Sequence, residues 1–380
     1  MRNRLIYVDN LRSFVIFLVV VMHSNVIYSG MGRWYYTETN FTDLDVVSRT
    51  VFGLFGSFAL AWFMGFLFFI SGYFAAKSLK KKGNPTFIKE RLFRLGIPLL
   101  FYVFTINPLM IYFFIKHNGL YSYEFMSFTD FYCDMLKGVS FVEGTGPLWF
   151  VEALLIFCAL YVIVRKIFPA TKEVTKPVPS YRKIILLSVL TAAASFAIRL
   201  VCPMGTAYGN LQLGFFASYI VLFFLGTNSA EKKWFEKIVS DKNIIYLKLS
   251  FFAGIPAWAL LMIFGGALSG DMPIGGGFYW QTAVYALWES FIAFMMTIGL
   301  IAFFGKKFHG ESRLSRFVSQ NSFGVYIFHS PIITGIAILC SGIALPMLAK
   351  HFIVFPVSYI LSLAVSFVLR KIPYLARITA

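Results

Sequence analysis

The chain has 380 residues, of which 58% are hydrophobic, 19% aromatic and only 13% charged, with a mean hydropathy of +0.74. That balance excludes a soluble domain, which carries far more charge and shorter apolar runs, and it defines a polytopic membrane protein. The formal net charge of +17 does not point to nucleic acid, because the lysines and arginines cluster in short stretches between apolar runs, as orientation signals do.

The first stretch, MRNRLIYVDNLR followed by an apolar run, imitates a secretion signal. It lacks a small-residue cleavage site after the run and it contains Arg12 and His23, so we read it as a retained first helix. Arg12 and His23 are eleven positions apart, which at about 100° per residue returns them to nearly one helical face, separated by roughly 16 Å of rise. Only Ser, Phe, Val, Ile, Leu and Met lie between them. His23 therefore sits near mid-depth of a hydrocarbon-compatible helix, where an ionisable group is a functional-site candidate, or else a histidine hydrogen-bonded between packed helices above a snorkelling arginine.

Ten apolar runs are long enough to cross about 30 Å of hydrocarbon. They fall near 8–29, 52–76, 95–115, 147–168, 184–202, 213–229, 244–268, 280–304, 320–340 and 350–370. The expected fold is all-α, a bundle of about ten transmembrane helices forming one domain over 1–380. With the N-terminus in the cytoplasm, inner segments hold 28 Lys and Arg and outer loops five, Arg33, Arg49, Lys116, Lys137 and Lys350. That asymmetry places both termini in the cytoplasm.

Two outer connections are long, about 30–51 and 116–146, and both are aromatic and polar. Such loops are either lids over a site or poorly constrained segments. The second run ends WFMGFLFFISGYFAAK, where Gly65, Ser71 and Gly72 read as a seam for close helix packing. After it come the Lys77–Lys82 cluster, an orientation anchor, and FIKERLFRLGIPLL, in which Arg91 and Arg94 lie three apart on one face. Paired guanidiniums suit a phosphate or pyrophosphate through bidentate bonds, and the competing reading is a further anchor.

Glu152, in EGTGPLWFVEALLIF, lies about one and a half turns below the outer surface, Glu289 is buried in the eighth run, and His329 in QNSFGVYIFHSPIITG of the ninth. Two acids and two imidazoles at membrane depth, at about 2–3 kcal/mol or more for each acid, should face one another or a wet cavity. Glu152 is placed to orient a hydroxyl or an imidazole, and Glu289 with His329 suggests a second pair. The polar TKEVTKPVPS at 171–180 is a linker. Gly265–Gly277, without a lysine or a preceding strand, reads as a flexible turn rather than a phosphate loop. The cysteines Cys133, Cys158, Cys202 and Cys340 have no metal-ligand spacing and read as free, and no metal site is expected.

These motifs together carry a resemblance. Arg12 with ten residues before His23, GFLFFISGYF, the Arg91 and Arg94 pair before GIPLL, GPLWFVEALL and NSFGVYIFHSP occur in an order that resembles the acyltransferase 3 family of integral membrane acyltransferases, over nearly the whole chain. Within that family the chain looks most like the glucan biosynthesis protein C subgroup. The resemblance implies a ten-helix bundle in a bacterial inner membrane that moves an acyl group, of the acetyl or succinyl class, from cytoplasmic acyl-CoA to a hydroxyl of an envelope glycan or similar acceptor. It implies His23 as the essential histidine and Arg12, Arg91 and Arg94 as essential basic groups, with acyl-CoA as a donor substrate and no permanently bound cofactor. The competing class is a transporter or flippase for an envelope saccharide, since proton-coupled carriers also need intramembrane acids and histidines. Against that class stand the absence of an inverted repeat in the sequence and the presence of the cytoplasmic arginine pair.

Overall fold

The computed structural model describes residues 5–117, 126–138, 144–169, 177–267, 270, 272–373 and 375–376. Among them ten helices are long and apolar enough to cross a membrane: Ile6–Ser29, Val46–Lys82, Asn84–His117, Gly146–Ile167, Tyr181–Val201, Leu213–Glu231, Asp241–Gly265, Trp280–Lys307, Arg313–Leu339 and Met347–Leu369. These are spans one to ten, and each coincides with an expected apolar run. Pairing among the described residues is limited to one isolated bridge, Tyr208 to Leu211, so the bundle is all-α. Most of the 171–180 linker and part of Gly265–Gly277 fall outside the described residues. All four cysteines are free.

Local chemistry explains where the helices stop and bend. Span one ends at Gly30, whose φ of 66° is left-handed and whose N–H caps the Val26 carbonyl. A Cβ at Gly30 would also lie 2.3 Å from the Thr39 carbonyl oxygen, so only glycine lets the chain fold back this sharply. Span two is longer than its apolar run. It starts at Asp45, whose carboxylate accepts from the Ser48 N–H at 2.9 Å, and it runs into the lysine cluster at its other end. The Ser48 bonds hold the Asp45 carboxyl below its ordinary range.

Span three is interrupted by two wide π-turns, Leu92–Gly96 and Tyr102–Ile106. Each is followed within two residues by a proline, Pro98 and Pro108, which cannot donate to the carbonyl four residues earlier. The carbonyl that Pro108 leaves free, that of Phe104, accepts from the Tyr132 hydroxyl of the outer helix Phe128–Lys137 at 3.0 Å. Span seven breaks at Ala253, three residues before Pro256, so it is two helices rather than the continuous one its hydropathy suggests.

The expected glycine seam forms between spans two and six. A Cβ on Gly72 would lie 2.1 Å from the Phe223 carbonyl oxygen, and one on Gly226 would lie 2.0 Å from that of Phe69. The two glycines thus sit across from each other where the backbones touch. Span one packs against spans two, eight, nine and ten, which surround it. Its Val8, Leu11 and Val15 are fully enclosed.

Candidate functional site

Span one is helical without interruption from Ile6 to Ser29, so Arg12 and His23 do share a face about 16 Å apart along the axis. His23 is half-buried, whereas His329 of span nine behind it is fully buried. The imidazoles meet directly: Nε2 of His329 lies 2.9 Å from Nδ1 of His23, with ring centroids 4.9 Å apart. Nδ1 of His329 lies 2.8 Å from the Tyr326 carbonyl oxygen and 3.2 Å from that of Val325, both one turn back in its own helix.

The first long loop folds into the bundle over this pair. Trp34 stacks on His23 with centroids 4.0 Å apart and planes inclined 22°, and its indole N–H donates to Thr334 Oγ1 at 3.0 Å. Tyr35 donates to Asn107 Oδ1 at 2.6 Å and meets the Tyr102 hydroxyl at 3.0 Å, which in turn meets Ser330 Oγ at 2.7 Å. Burial and the neighbouring Tyr102 hold the Tyr35 phenol well above its usual range, so it stays neutral in this network. Glu38 anchors the loop's far end in a buried ion pair with Lys350 of span ten. The sequence showed an aromatic RWYYTETN here, but not which ring reaches the histidine.

Glu152 stands in the first turn of the span four helix. Its carboxylate is bonded to Thr145, whose Oγ1 also accepts from Asn210 Nδ2 at 2.8 Å, while its Oε2 is enclosed without a partner. Among the described residues it bonds neither imidazole. The turn before it, Gly146–Leu148, does touch the site, because the Tyr326 hydroxyl donates to the Pro147 carbonyl.

The suggested pairing of Glu289 with His329 does not occur. Glu289 of span eight instead meets Arg199 of span five, Nη2 to Oε2 at 2.5 Å, with the two side chains 3% and 0% exposed. Arg199 also donates from Nε to the Gly214 carbonyl at 3.0 Å and lies over the Phe215 and Tyr285 rings. Two buried histidine and glutamate side chains looked like partners because hydropathy gives depth but not azimuth. The missed signal was Arg199, a basic residue inside the fifth apolar run that belongs to neither the inner segments nor the outer loops.

At the lysine-rich end, Arg12, Arg91 and Arg94 lie close enough to repel one another, with Asp9 as the nearby acid on span one. Arg94 falls inside the first π-turn and is exposed, as is Arg12. Arg91 lies over the Phe87 ring, its guanidinium carbon 5.2 Å from the centroid. Asp9 and Glu90 lie close enough to offset part of this charge, and guanidiniums are suited to phosphate. Among the described residues no group of three or more His, Cys, Asp or Glu is arranged to hold a metal ion.

A half-buried imidazole under an aromatic loop, with guanidiniums gathered toward the other end of the same helix, belongs here to a multi-pass membrane protein of ten apolar helices. The chain matches the family model described as an acyltransferase domain over residues 5–371, and it belongs to that family of membrane acyltransferases. No curated protein and no solved structure significantly matches it.

Proposed function

We propose that this acyltransferase takes an acyl group, of the acetyl or succinyl class, from cytoplasmic acyl-CoA and delivers it to a hydroxyl of an envelope glycan or similar acceptor, in the inner membrane of a bacterium. It falls in the class of acyltransferases that transfer groups other than aminoacyl groups, and its sequence motifs align it with the glucan biosynthesis protein C subgroup. The observation that carries the reading is the shared face of span one, with a half-buried imidazole at mid-depth and three guanidiniums gathered at its lysine-rich end.

A hydroxyl is a poor nucleophile, and a neutral imidazole within reach removes its proton as it attacks the thioester, which contributes roughly 10² to 10⁴ in rate. His23 is that base. Arg91 and Arg94, with Arg12 above them, hold the donor's phosphates, so that the thioester projects along the span one face toward His23. Glu152, with an enclosed oxygen lacking a partner, is suited to accept a hydrogen bond from the incoming hydroxyl.

Mass spectrometry of envelope glycans from cells with and without the protein tests the activity. Cells carrying the parent should show an added acyl mass, and cells carrying His23→Gln should lose it by at least about 10² in rate, since glutamine keeps most of the volume but takes no proton. A His23→Gln protein acylating within about tenfold of the parent would refute the role of His23.

A further inference from the structure

A carbonyl oxygen can only accept a hydrogen bond. Nδ1 of His329 lies 2.8 Å and 3.2 Å from two of them, those of Tyr326 and Val325, so Nδ1 carries a hydrogen. His329 is 0% exposed, and among the described ion pairs no carboxylate faces it or His23, so a second hydrogen on the same ring would leave a buried cation without a counter-ion. The ring is therefore neutral and its Nε2 is bare. The 2.9 Å contact from that Nε2 to Nδ1 of His23 can then only be donated by His23.

The hydrogen of a neutral His23 is thus committed to Nδ1, and its Nε2 lone pair is left without a hydrogen-bond partner among the described residues. Trp34 stacked on the ring at 4.0 Å restrains the plane in which that lone pair points.

We propose that His329 is a positioning residue that holds His23 in its Nδ1–H tautomer, which makes Nε2 of His23 the atom that accepts the substrate proton. This deepens the acyl-transfer reading and rests on it for its catalytic part. In the reaction, the acceptor hydroxyl gives its proton to His23 Nε2 while its oxygen bonds to the thioester carbonyl carbon. The C–S bond then breaks, and the proton passes from Nε2 to the departing thiolate, giving an ester and a free thiol. While His23 carries both hydrogens, its Nδ1–H bond to His329 Nε2 becomes charge-assisted, and that bond is stronger than the neutral one. His329 touches neither substrate in this scheme.

The test reads tautomers directly, by nitrogen-15 magnetic resonance of the full-length protein labelled at its five histidines, in lipid nanodiscs without donor or acceptor. The His23 signals are assigned by their loss in His23→Gln. The parent should show His23 protonated at Nδ1 and bare at Nε2. In His329→Phe a large share of His23 should move to the Nε2–H form, with kcat lower by at least about tenfold and KM for the donor unchanged. His329→Gln, whose amide oxygen supplies an acceptor near the lost Nε2, should restore both the tautomer and most of kcat. A parent with His23 protonated at Nε2, or a tautomer unmoved by His329→Phe, overturns the assignment. If His329→Phe fails to fold, the parent spectrum alone decides it. Correct tautomers without any acyl transfer would leave the hydrogen-bond assignment standing and bring down the acyl-transfer reading instead.

Discussion

The Arg199–Glu289 pair permits a quantitative test of how the bundle is held together. Both side chains are almost wholly enclosed, at 0% and 3% exposure, and they join spans five and eight at 2.5 Å. Replacing Glu289 with Met keeps much of the volume but leaves a guanidinium at depth without a counter-ion. Arg199→Met leaves the carboxylate in the same position. Removing one partner of a buried pair costs about 3–5 kcal/mol, whereas replacing both with apolar residues of similar volume is often neutral or stabilising. The double variant Arg199→Met with Glu289→Met should therefore be far more stable than the sum of the singles, with a coupling of at least about 3 kcal/mol. Its remaining deficits are the Arg199 bond to the Gly214 carbonyl and the ring contacts with Phe215 and Tyr285, each worth about 1 kcal/mol. Equilibrium unfolding in mixed micelles, titrated with a denaturing detergent, measures all three variants against the parent. Single substitutions that each cost under about 1 kcal/mol, or a double that costs their sum, would refute the claim that this pair is a structural link whose members depend on each other.

Further expectations concern the two ends of the site. Changing both Arg91 and Arg94 to Lys keeps the charge and removes the bidentate forks, so binding of acyl-CoA should weaken by about tenfold or more at unchanged membrane insertion; calorimetry with a non-hydrolysable acyl-CoA analogue checks it, and unaltered affinity would leave the pair an orientation signal only. Trp34→Ala removes a stacked ring worth about 0.5–1.5 kcal/mol and the bond to Thr334, so His23 should react several-fold faster with diethyl pyrocarbonate, and an unchanged rate would mean that the loop does not cover it. Single cysteines at the exposed Lys81 and Arg33, in a background without native cysteines, should label from opposite sides of the membrane with an impermeant thiol reagent; labelling of both from one side contradicts the orientation drawn from the lysine and arginine distribution.

Much of this protein is written in one dimension. Apolar run length sets the number of spans, because hydrocarbon thickness is a length, and all ten expected runs became helices. Lysine and arginine counts give the expected orientation, which the labelling experiment tests, for a similarly one-dimensional reason. Small residues marked the seam at Gly72, although its partner Gly226 was visible only once the helices crossed. Within span one, helical periodicity alone put Arg12 and His23 on one face, since both lie on a single unbroken helix.

Pairings between spans needed the tertiary structure. Sequence gives each buried group a depth but not the rotation of its helix or its neighbours, so His329 and Glu289 were legible as candidates and not as partners of His23 and Arg199. The π-turns of span three show why helical spacing alone does not suffice, since each wide turn shifts the azimuth of the residues that follow it, and Arg94 lies within one. Trp34 is the extreme case. It lies in a polar outer loop by sequence, and it reaches an imidazole at mid-depth only because Gly30 turns the chain back, the Glu38–Lys350 pair anchors the loop and Thr334 receives its indole N–H. Depth and facing along one helix are local properties of the chain. Which groups share a cavity depends on how ten helices rotate and pack to satisfy their buried polar atoms together, and that is decided only when all of them are in place.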